Sequence, residues 1–178
     1  MDNWDITNLS AVTSILGDGL HGTPIYDEDG EYYFINGNNL VNGRIEVSNK
    51  DKKVSKPEFE KYKKTLNDRT ILVSINGTLG NVAFYNNEKI VLGKSACYFN
   101  LLDSVDKYYV RYVLESDLFK KYINTFATGS IIKNISLKQM RDFEFRLPPL
   151  HIQKKLSYVL STLDEKIALN NQINATQR

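Results

Sequence analysis

A set of polar side chains lies in or near turn-forming stretches of this 178-residue chain. Its members are Asn38, Asn39, Arg44, Asn76, Thr78, Lys94, Ser130, Lys133 and Asn134. Amide and hydroxyl groups can hydrogen-bond to base edges, and lysine or arginine can neutralise phosphates, so one interpretation is a nucleic-acid contact set. The other interpretation is structural. Glycines such as Gly77 and Gly80 supply the positive φ of tight turns, and their polar neighbours then simply face water.

The sequence has no set of residues with the spacing of a catalytic or metal site. It contains neither a complete phosphate-binding P-loop nor an Asn-Pro-Pro-aromatic methyltransferase motif. The two histidines, His21 and His151, lack the Cys/His spacing of a zinc site. The single cysteine, Cys97, lies in an apolar run, which predicts a buried thiol and not a nucleophile. We therefore expect a non-catalytic chain that holds no cofactor or metal of its own.

The composition is that of a globular protein with a hydrophobic core. Hydrophobic residues make up 42% and charged residues 25% of the chain, and the net charge is only +2. Any basic surface that binds nucleic acid must therefore be confined to one patch and be offset by acidic residues elsewhere. The N-terminus lacks the basic and apolar regions of a signal peptide, and no apolar run approaches the roughly 18 residues of a membrane span. These features predict a cytoplasmic protein with no membrane partner.

The C-terminal stretch predicts a strand followed by a long helix. Positions 143–147 alternate apolar and charged residues, as in a half-buried strand, and Pro148-Pro149 ends that strand. One face of the helix should then carry Leu156, Leu160, Leu163, Ile167, Asn170 and Ile173. The helix could pack on its own domain. Alternatively, it could be an oligomerisation or spacer helix of coiled-coil type, in which Asn170 sets the register.

The rest of the chain predicts an α+β globule that positions the polar turns. Strand patterns cover 32–35, 71–75, 81–85 and 94–102, and the turn between the second and third contains Gly77 and Gly80. An amphipathic helix is expected over 108–126, with Val110, Val113, Leu114, Leu118, Tyr122 and Phe126 on its buried face. Capping boxes at Ser55/Glu58 and Ser136/Gln139 predict two shorter helices.

Several segments resemble the specificity subunit of type I restriction–modification enzymes. The tail matches through Arg-Leu-Pro-Pro-Leu-His-Ile-Gln (146–153), Leu163-Asp164 and Ile167. Two internal blocks match through Leu72, Ser74, Gly77, Thr78, Gly80 and Val82, and through Thr128, Gly129, Ser130, Ile135 and Ser136. A less specific match near the start covers Gly22, Pro24, Tyr26, Gly30 and Ile35.

This resemblance implies a compact mixed-sheet target recognition domain at 1–147 and one spacer or dimerisation helix at 148–178. The chain would resemble half of such a subunit, and two copies would pair their helices around a two-fold axis. The polar turns would then contact double-stranded DNA at one half-site. Methyltransferase subunits and, through them, a restriction subunit would be the protein partners. S-adenosylmethionine, ATP and Mg would be bound only by those partners.

Two other interpretations remain open at the level of the sequence. The chain could be a protein-interaction or oligomerisation module that does not bind DNA. It could also be the recognition segment of a fused restriction–methylation enzyme.

Overall fold

The computed structural model of the chain describes residues 4–129 and 132–176. The strands in this part of the chain are β1 (Asp5–Asn8), β2 (Thr13–Asp18), β3 (Tyr32–Ile35), β4 (Leu40–Val41), β5 (Arg44–Ile45), β6 (Lys53–Val54), β7 (Thr70–Ser74), β8 (Val82–Phe84), β9 (Ile90–Leu92), β10 (Ala96–Leu101) and β11 (Glu144–Leu147). The α-helices are α1 (Lys56–Tyr62), α2 (Lys107–Glu115), α3 (Asp117–Phe126), α4 (Leu137–Asp142) and α5 (Leu150–Thr176). Short 3-10 helices span Leu9–Val12 and Gly37–Asn39.

Two sheets form the centre of the globule. The larger has the strand order β2-β10-β7-β8, with every neighbouring pair antiparallel. The smaller has the order β6-β3-β9, in which β3 runs parallel to β9 and antiparallel to β6. The remaining pairs are β1 with β11 and β4 with β5. Mixed sheets accompanied by helices confirm the predicted α+β class.

The core lies around the two inner strands of the larger sheet. Every residue of β7 and β10 is buried, as expected of apolar, β-branched runs covered on both faces. Cys97 is among them and fully buried, which confirms that prediction. The alternation in the last strand is also confirmed, because Phe145 is buried whereas Glu144 and Arg146 are exposed.

The single helix predicted over 108–126 is wrong, because α2 and α3 are separate helices. Ser116 between them has extended backbone angles, φ −72° and ψ 160°, and its hydroxyl accepts from the Phe119 N–H to cap α3. The break shifts the helical phase. Phe119 and Ile123 are buried, while the predicted core residues Leu118 and Phe126 are exposed.

The capping box predicted at Ser55 and Glu58 is also wrong, although α1 does begin directly after Ser55. The Ser55 side chain makes no capping hydrogen bond. Glu58 is buried, and its carboxylate accepts from the Ile25 N–H at 3.0 Å. The Glu58 carboxylate therefore bonds to the backbone of the distant Ile25 and does not take part in a cap of α1. The second predicted box is confirmed, with Ser136 and Gln139 bonded to each other's backbone.

Helix α5 confirms the predicted long C-terminal helix. Its 27 residues make it about 40 Å long at the usual rise per residue. Within the described part of α5, only Gln153 and Ser157 are buried. The globule does not cover the apolar face, since Leu156 is 37%, Leu163 50% and Ile167 59% exposed. The division of the chain at residue 147 into two units stays a prediction.

The described helices include none that is both long and apolar enough to cross a membrane.

Candidate nucleic-acid interface

Several turns that the sequence analysis identified meet on one side of the globule, where strands of both sheets end. Strand β7 ends where its antiparallel neighbour β10 begins, and β3 and β9 end side by side. The turns that leave these strand ends cover 36–39, 75–81 and 93–95, and they are joined by 128–129 and 132–134. We call this set of turns the loop edge.

Backbone hydrogen bonds join the turn after β7 to its neighbours in the loop edge. The Ile75 N–H donates to the Ser95 carbonyl at 2.9 Å. The Gly77 N–H donates to the Lys133 carbonyl at 2.9 Å, and the Ile135 N–H to the Ile75 carbonyl at 3.0 Å. Asn134 exchanges hydrogen bonds of 2.8 and 2.9 Å with Thr128. The turns thus share one backbone framework even though they are far apart in sequence.

The Ser95 hydroxyl connects the turn after β3 to the same framework. It accepts from the Gly37 N–H at 2.8 Å and donates to the Asn36 amide oxygen at 2.9 Å. Gly37 is required here because a Cβ would lie only 2.7 Å from that of Ser74. The sequence interpretation did not include Asn36 and Ser95 in the site. The Asn36-Gly37 pair is a turn signal, but the contact between Asn36 and Ser95 joins residues 59 positions apart and leaves no local sequence signal.

The loop edge brings together most of the predicted contact residues. Asn38, Thr78, Lys94 and Lys133 are exposed on it, and Asn76 and Asn134 are partly exposed and face each other as an antiparallel bridge. Gly77 and Gly80 have φ of +76° and +82°, which confirms that these glycines supply the positive φ of the turn. Ser130 lies outside the described residues.

Asn39 differs from the other predicted contact residues because its amide is occupied within the fold. Its oxygen accepts from the Asn36 N–H at 2.9 Å, and its nitrogen donates to the Glu46 carbonyl at 3.0 Å and to Asp51 at 3.2 Å. The Ser48 N–H, and to a smaller extent Asn39, hold the pKa of the Asp51 carboxyl below its usual value. These contacts give Asn39 the role of shaping the turn.

Arg44 is exposed at the start of β5, directly after the β4–β5 turn, which lies beside β8. A shallow groove separates this turn from the Gly80 turn, and its polar lining includes Asn42, Asn81 and Lys120. The sequence interpretation did not propose these three residues. Lys120 lies on the outer face of α3, and the helical pattern drew attention only to the apolar face.

The segment 17–22, Gly-Asp-Gly-Leu-His-Gly, has the glycine spacing of a dinucleotide-binding loop. Such a loop binds pyrophosphate when it joins a strand to a helix N-terminus. Here the first two residues of the segment end β2, which is antiparallel to its neighbour, and the segment leads into irregular chain and not into a helix. His21 is exposed and lies 2.5 Å from Asp18. The structural context of a dinucleotide site is therefore missing.

Across residues 4–129 and 132–176, no three His, Cys, Asp or Glu side chains are grouped as a metal ion would require.

The first turn of helix α5 is attached at the end of the larger sheet opposite the loop edge. The Gln153 amide oxygen accepts from the Asp106 N–H at 2.9 Å, and its nitrogen donates to the Pro148 carbonyl at 2.7 Å. Asp106 follows the end of β10, whereas the loop edge lies at its start. With six residues, β10 separates the two places by about 17 Å.

The family model described as the type I restriction modification DNA specificity domain matches residues 1–176. Because the match extends over nearly the whole chain, the protein belongs to this family.

Individual relatives agree with this assignment. A putative type I specificity subunit of Mycoplasma pneumoniae is 25% identical over 179 residues, which cover 99% of this chain and 43% of that protein. The chain thus spans less than half the length of this curated relative.

Solved structures share the fold. The S subunit of a type I restriction–modification system from M. genitalium aligns over 94% of this chain and 41% of its own, with a TM-score of 0.62 and 22% identity. The HsdS subunit of Thermoanaerobacter tengcongensis aligns over 97% of this chain and 40% of its own, with a TM-score of 0.71 and 16% identity. At these identities the likeness concerns the fold, and it agrees with an α+β globule followed by a long helix.

Proposed function

We propose that this chain recognises one half of a bipartite DNA site for a type I restriction–modification system and catalyses no reaction itself. The observation that carries the proposal is the loop edge, where exposed amide, hydroxyl and lysine side chains project from turns held by shared backbone hydrogen bonds. Such a framework limits the ordering cost of binding, because the side chains start close to their bound positions. Membership of a DNA specificity family supports the same function.

Within the contact set, charge and hydrogen-bonding capacity divide the roles. Lys94, Lys133 and Arg44 neutralise phosphates, which gives affinity but no sequence information. Asn38, Asn76, Thr78 and Asn134 offer donors and acceptors to base edges. Ser130 belongs to the same set on the sequence argument. Asn39 supports the turn that presents Asn38.

We further propose that α5 pairs with the same helix of a second copy. Its exposed apolar side chains include Leu156, Leu160, Leu163, Ile167 and Ile173, which would be costly to leave in water over so long a helix. Asn170 on the same helix sets the register. An antiparallel pair would hold two loop edges apart, and the DNA site would be an interrupted inverted repeat.

The complex would also contain enzymes. Methyltransferase subunits would dock on this chain and, through them, a restriction subunit. S-adenosylmethionine, ATP and Mg would then be bound by those partners. Support comes from the fold shared with a solved structure of the type I restriction–modification system, at a TM-score of 0.74 and 17% identity.

The test of DNA binding compares matched charge removals at two places. Lys133→Ala at the loop edge should weaken binding to all duplexes and reduce the slope of log affinity against log salt by about one phosphate contact. Lys155→Ala removes the same charge from an exposed position of α5 and should leave the slope unchanged. Equal slopes for both variants and the wild type, measured by fluorescence anisotropy, would remove Lys133 from the contact set.

The exposed apolar face of α5 also favours a second candidate function, a protein-interaction module without DNA binding. The two candidates differ in retention on a duplex DNA column. A DNA reader elutes as salt rises, whereas an interaction module is not retained.

A further inference from the structure

Arg111 occupies a junction between α2, the β4–β5 turn and α5. Its side chain is only 19% exposed. The Nε atom donates to Glu115 at 2.9 Å, and one terminal nitrogen lies 3.7 Å from the carboxylate of Asp164 on α5. The planar guanidinium can serve both carboxylates at once, which the single ammonium of lysine cannot do in this geometry.

Tyr112 strengthens the attachment of α5 at the same carboxylate. Its hydroxyl donates to Asp164 at 2.7 Å. Partial burial, followed by the hydrogen bond to Asp164, raises the pKa of Tyr112 to about 12. The phenol therefore keeps its proton, and its role as donor, throughout the neutral range.

The opposite side of Arg111 lies against the β4–β5 turn that directly precedes Arg44. Gly43 in this turn has φ +79°, and a Cβ there would be 3.1 Å from the guanidinium carbon. The turn is held in place because the Phe84 N–H donates to the Gly43 carbonyl at 3.0 Å. The guanidinium is also 5.8 Å from the Phe84 ring centre. Arg111 thus lies between the globule and the helix, with contacts to both.

Helix α5 is consequently held by polar side-chain contacts at two separated points, with the buried Ser157 between them. Gln153 holds its first turn, and Asp164 holds it again about 16 Å further along. From Leu163 to Thr176 every residue of α5 is exposed, so the globule guides this part of the helix chiefly through Asp164. One attachment would act as a pivot, whereas two fix a direction.

We infer that Arg111 and Asp164 are positioning residues that fix the direction in which α5 leaves the globule. The consequence for DNA rests on the proposed function: in a pair of chains, this direction sets the distance between the two loop edges. About 18 Å of helix extends beyond Asp164, so a tilt of a few degrees per chain already shifts the loop edges by a large part of the 3.4 Å rise of one base pair. Release of the Arg111–Asp164 contact therefore widens the range of half-site spacings that the pair accepts.

The direction of α5 can be measured without DNA. Nitroxide labels are attached to cysteines introduced at the exposed positions Asn49 and Gln172, and the labelled chain is diluted with excess unlabelled chain so that only distances within one chain contribute. Cys97 is fully buried, and burial raises the pKa of its thiol, so it does not compete for the label. Pulsed electron paramagnetic resonance then gives the distance distribution.

The variants separate positioning from folding. Arg111→Ala and Asp164→Asn each remove the ionic contact at the second attachment and leave the Tyr112 hydrogen bond there, so each should broaden the distance distribution, by up to about twofold. Asp164 is 48% exposed, so its neutral amide variant leaves the globule folded even if Arg111→Ala does not. Glu31→Gln, which removes an exposed 2.8 Å ion pair with Lys89 away from α5, is the matched control and should keep the wild-type width.

Duplexes with systematically varied half-site spacing complete the test. The wild type should bind one spacing, whereas Asp164→Asn should also bind spacings one base pair shorter and longer. A distribution for Asp164→Asn that is as narrow as the wild type and centred at the same distance would overturn the inference. If the wild type binds no duplex, the proposed function fails, and the distance distributions still decide the role of Arg111 and Asp164.

Discussion

The loop edge and helix α5 both expose side chains. The two sets of side chains differ in polarity and in how firmly the rest of the fold holds them. The loop edge presents polar groups on short turns that hydrogen-bond to one another across the sequence. Helix α5 presents apolar groups on a regular element that touches the globule at few points. The difference suggests a division of labour. A surface that discriminates among bases binds at a lower cost in conformational entropy when it is rigid beforehand, whereas an apolar helix face is completed by its partner.

The largest effect should come from placing a charge on the apolar face of α5. Leu163→Asp buries a carboxylate between two helices, twice in a symmetric pair, and should weaken dimerisation by at least about a hundredfold. Tyr158→Asp places the same charge at another exposed side chain of α5, 73% against 50%, on the side of the helix away from Leu163, and should leave the dimer intact.

Sedimentation equilibrium of both variants measures this difference. Equal masses for Leu163→Asp and the wild type at high concentration would contradict the dimer through α5.

The rigidity of the loop edge can be tested with a pair of glycines. Gly80 and Gly77 both have positive φ, but a Cβ at Gly80 would lie 2.6 Å from Ile123 on α3, whereas nothing lies within 4 Å at Gly77. Gly77→Ala should therefore cost only backbone strain, about 1 kcal/mol in the free energy of unfolding. Gly80→Ala should cost about 2–3 kcal/mol, because the terminal methyl group of the buried Ile123 side chain must also shift.

Urea unfolding of the two variants separates these contributions. Similar losses at both positions would mean that α3 does not support the turn as tightly as the contacts indicate.

Substitutions of the neighbouring residues Asn38 and Asn39 separate base recognition from support of the turn. Asn38→Ala should reduce discrimination at one base position by about 1–3 kcal/mol and leave the stability of the fold nearly unchanged. Asn39→Ala removes the three hydrogen bonds of its amide, so it should lower the free energy of unfolding by about 1–3 kcal/mol and weaken binding without preference for one base. Competition between single-base duplex variants, together with urea unfolding, distinguishes the two outcomes. The reverse pattern would contradict a reading role for Asn38 and a supporting role for Asn39.

The smallest effect concerns pH at the attachment of α5. The pKa of Tyr112 rises from 10.0 to about 12 in the folded chain. The phenol therefore binds its proton more tightly when folded, so its stabilising contribution is complete below about pH 10 and is lost as the pH rises toward 12.

In the Tyr112→Phe variant, the free energy of unfolding should depend less on pH within that window than in the wild type. Urea unfolding midpoints from pH 9 upward measure this difference. Identical profiles for Tyr112→Phe and the wild type would exclude the contribution.

Sequence patterns predicted elements whose cause is local. The apolar run at β7, the glycine turn after it and the proline pair before α5 depend on neighbours in the chain, and each was found where expected. The break at Ser116 was missed because the apolar pattern through Val110 and Leu114 can be extended past it. The cap at Ser116 and the burial of Phe119 and Ile123 show where the second helix begins.

The candidate site was predictable in its residue types and less so in its geometry. Polar residues near glycines identified the turns of the loop edge, but Asn39 could not be separated from Asn38, because its partner Asp51 is brought close only by folding. The attachment of α5 was also missed, since Tyr112 and Asp164 are 52 positions apart in the sequence. Contacts of that kind leave no periodic signal.

The most direct test of the division of labour is selection of bound duplexes from a random pool by the purified wild-type chain. We expect enrichment of an interrupted inverted repeat whose two halves are separated by one fixed spacing. We also expect that Asn38→Ala or Thr78→Ala relaxes the bases in the halves and leaves the spacing unchanged. Enrichment of an uninterrupted site, or no enrichment over the starting pool, would contradict the division of labour.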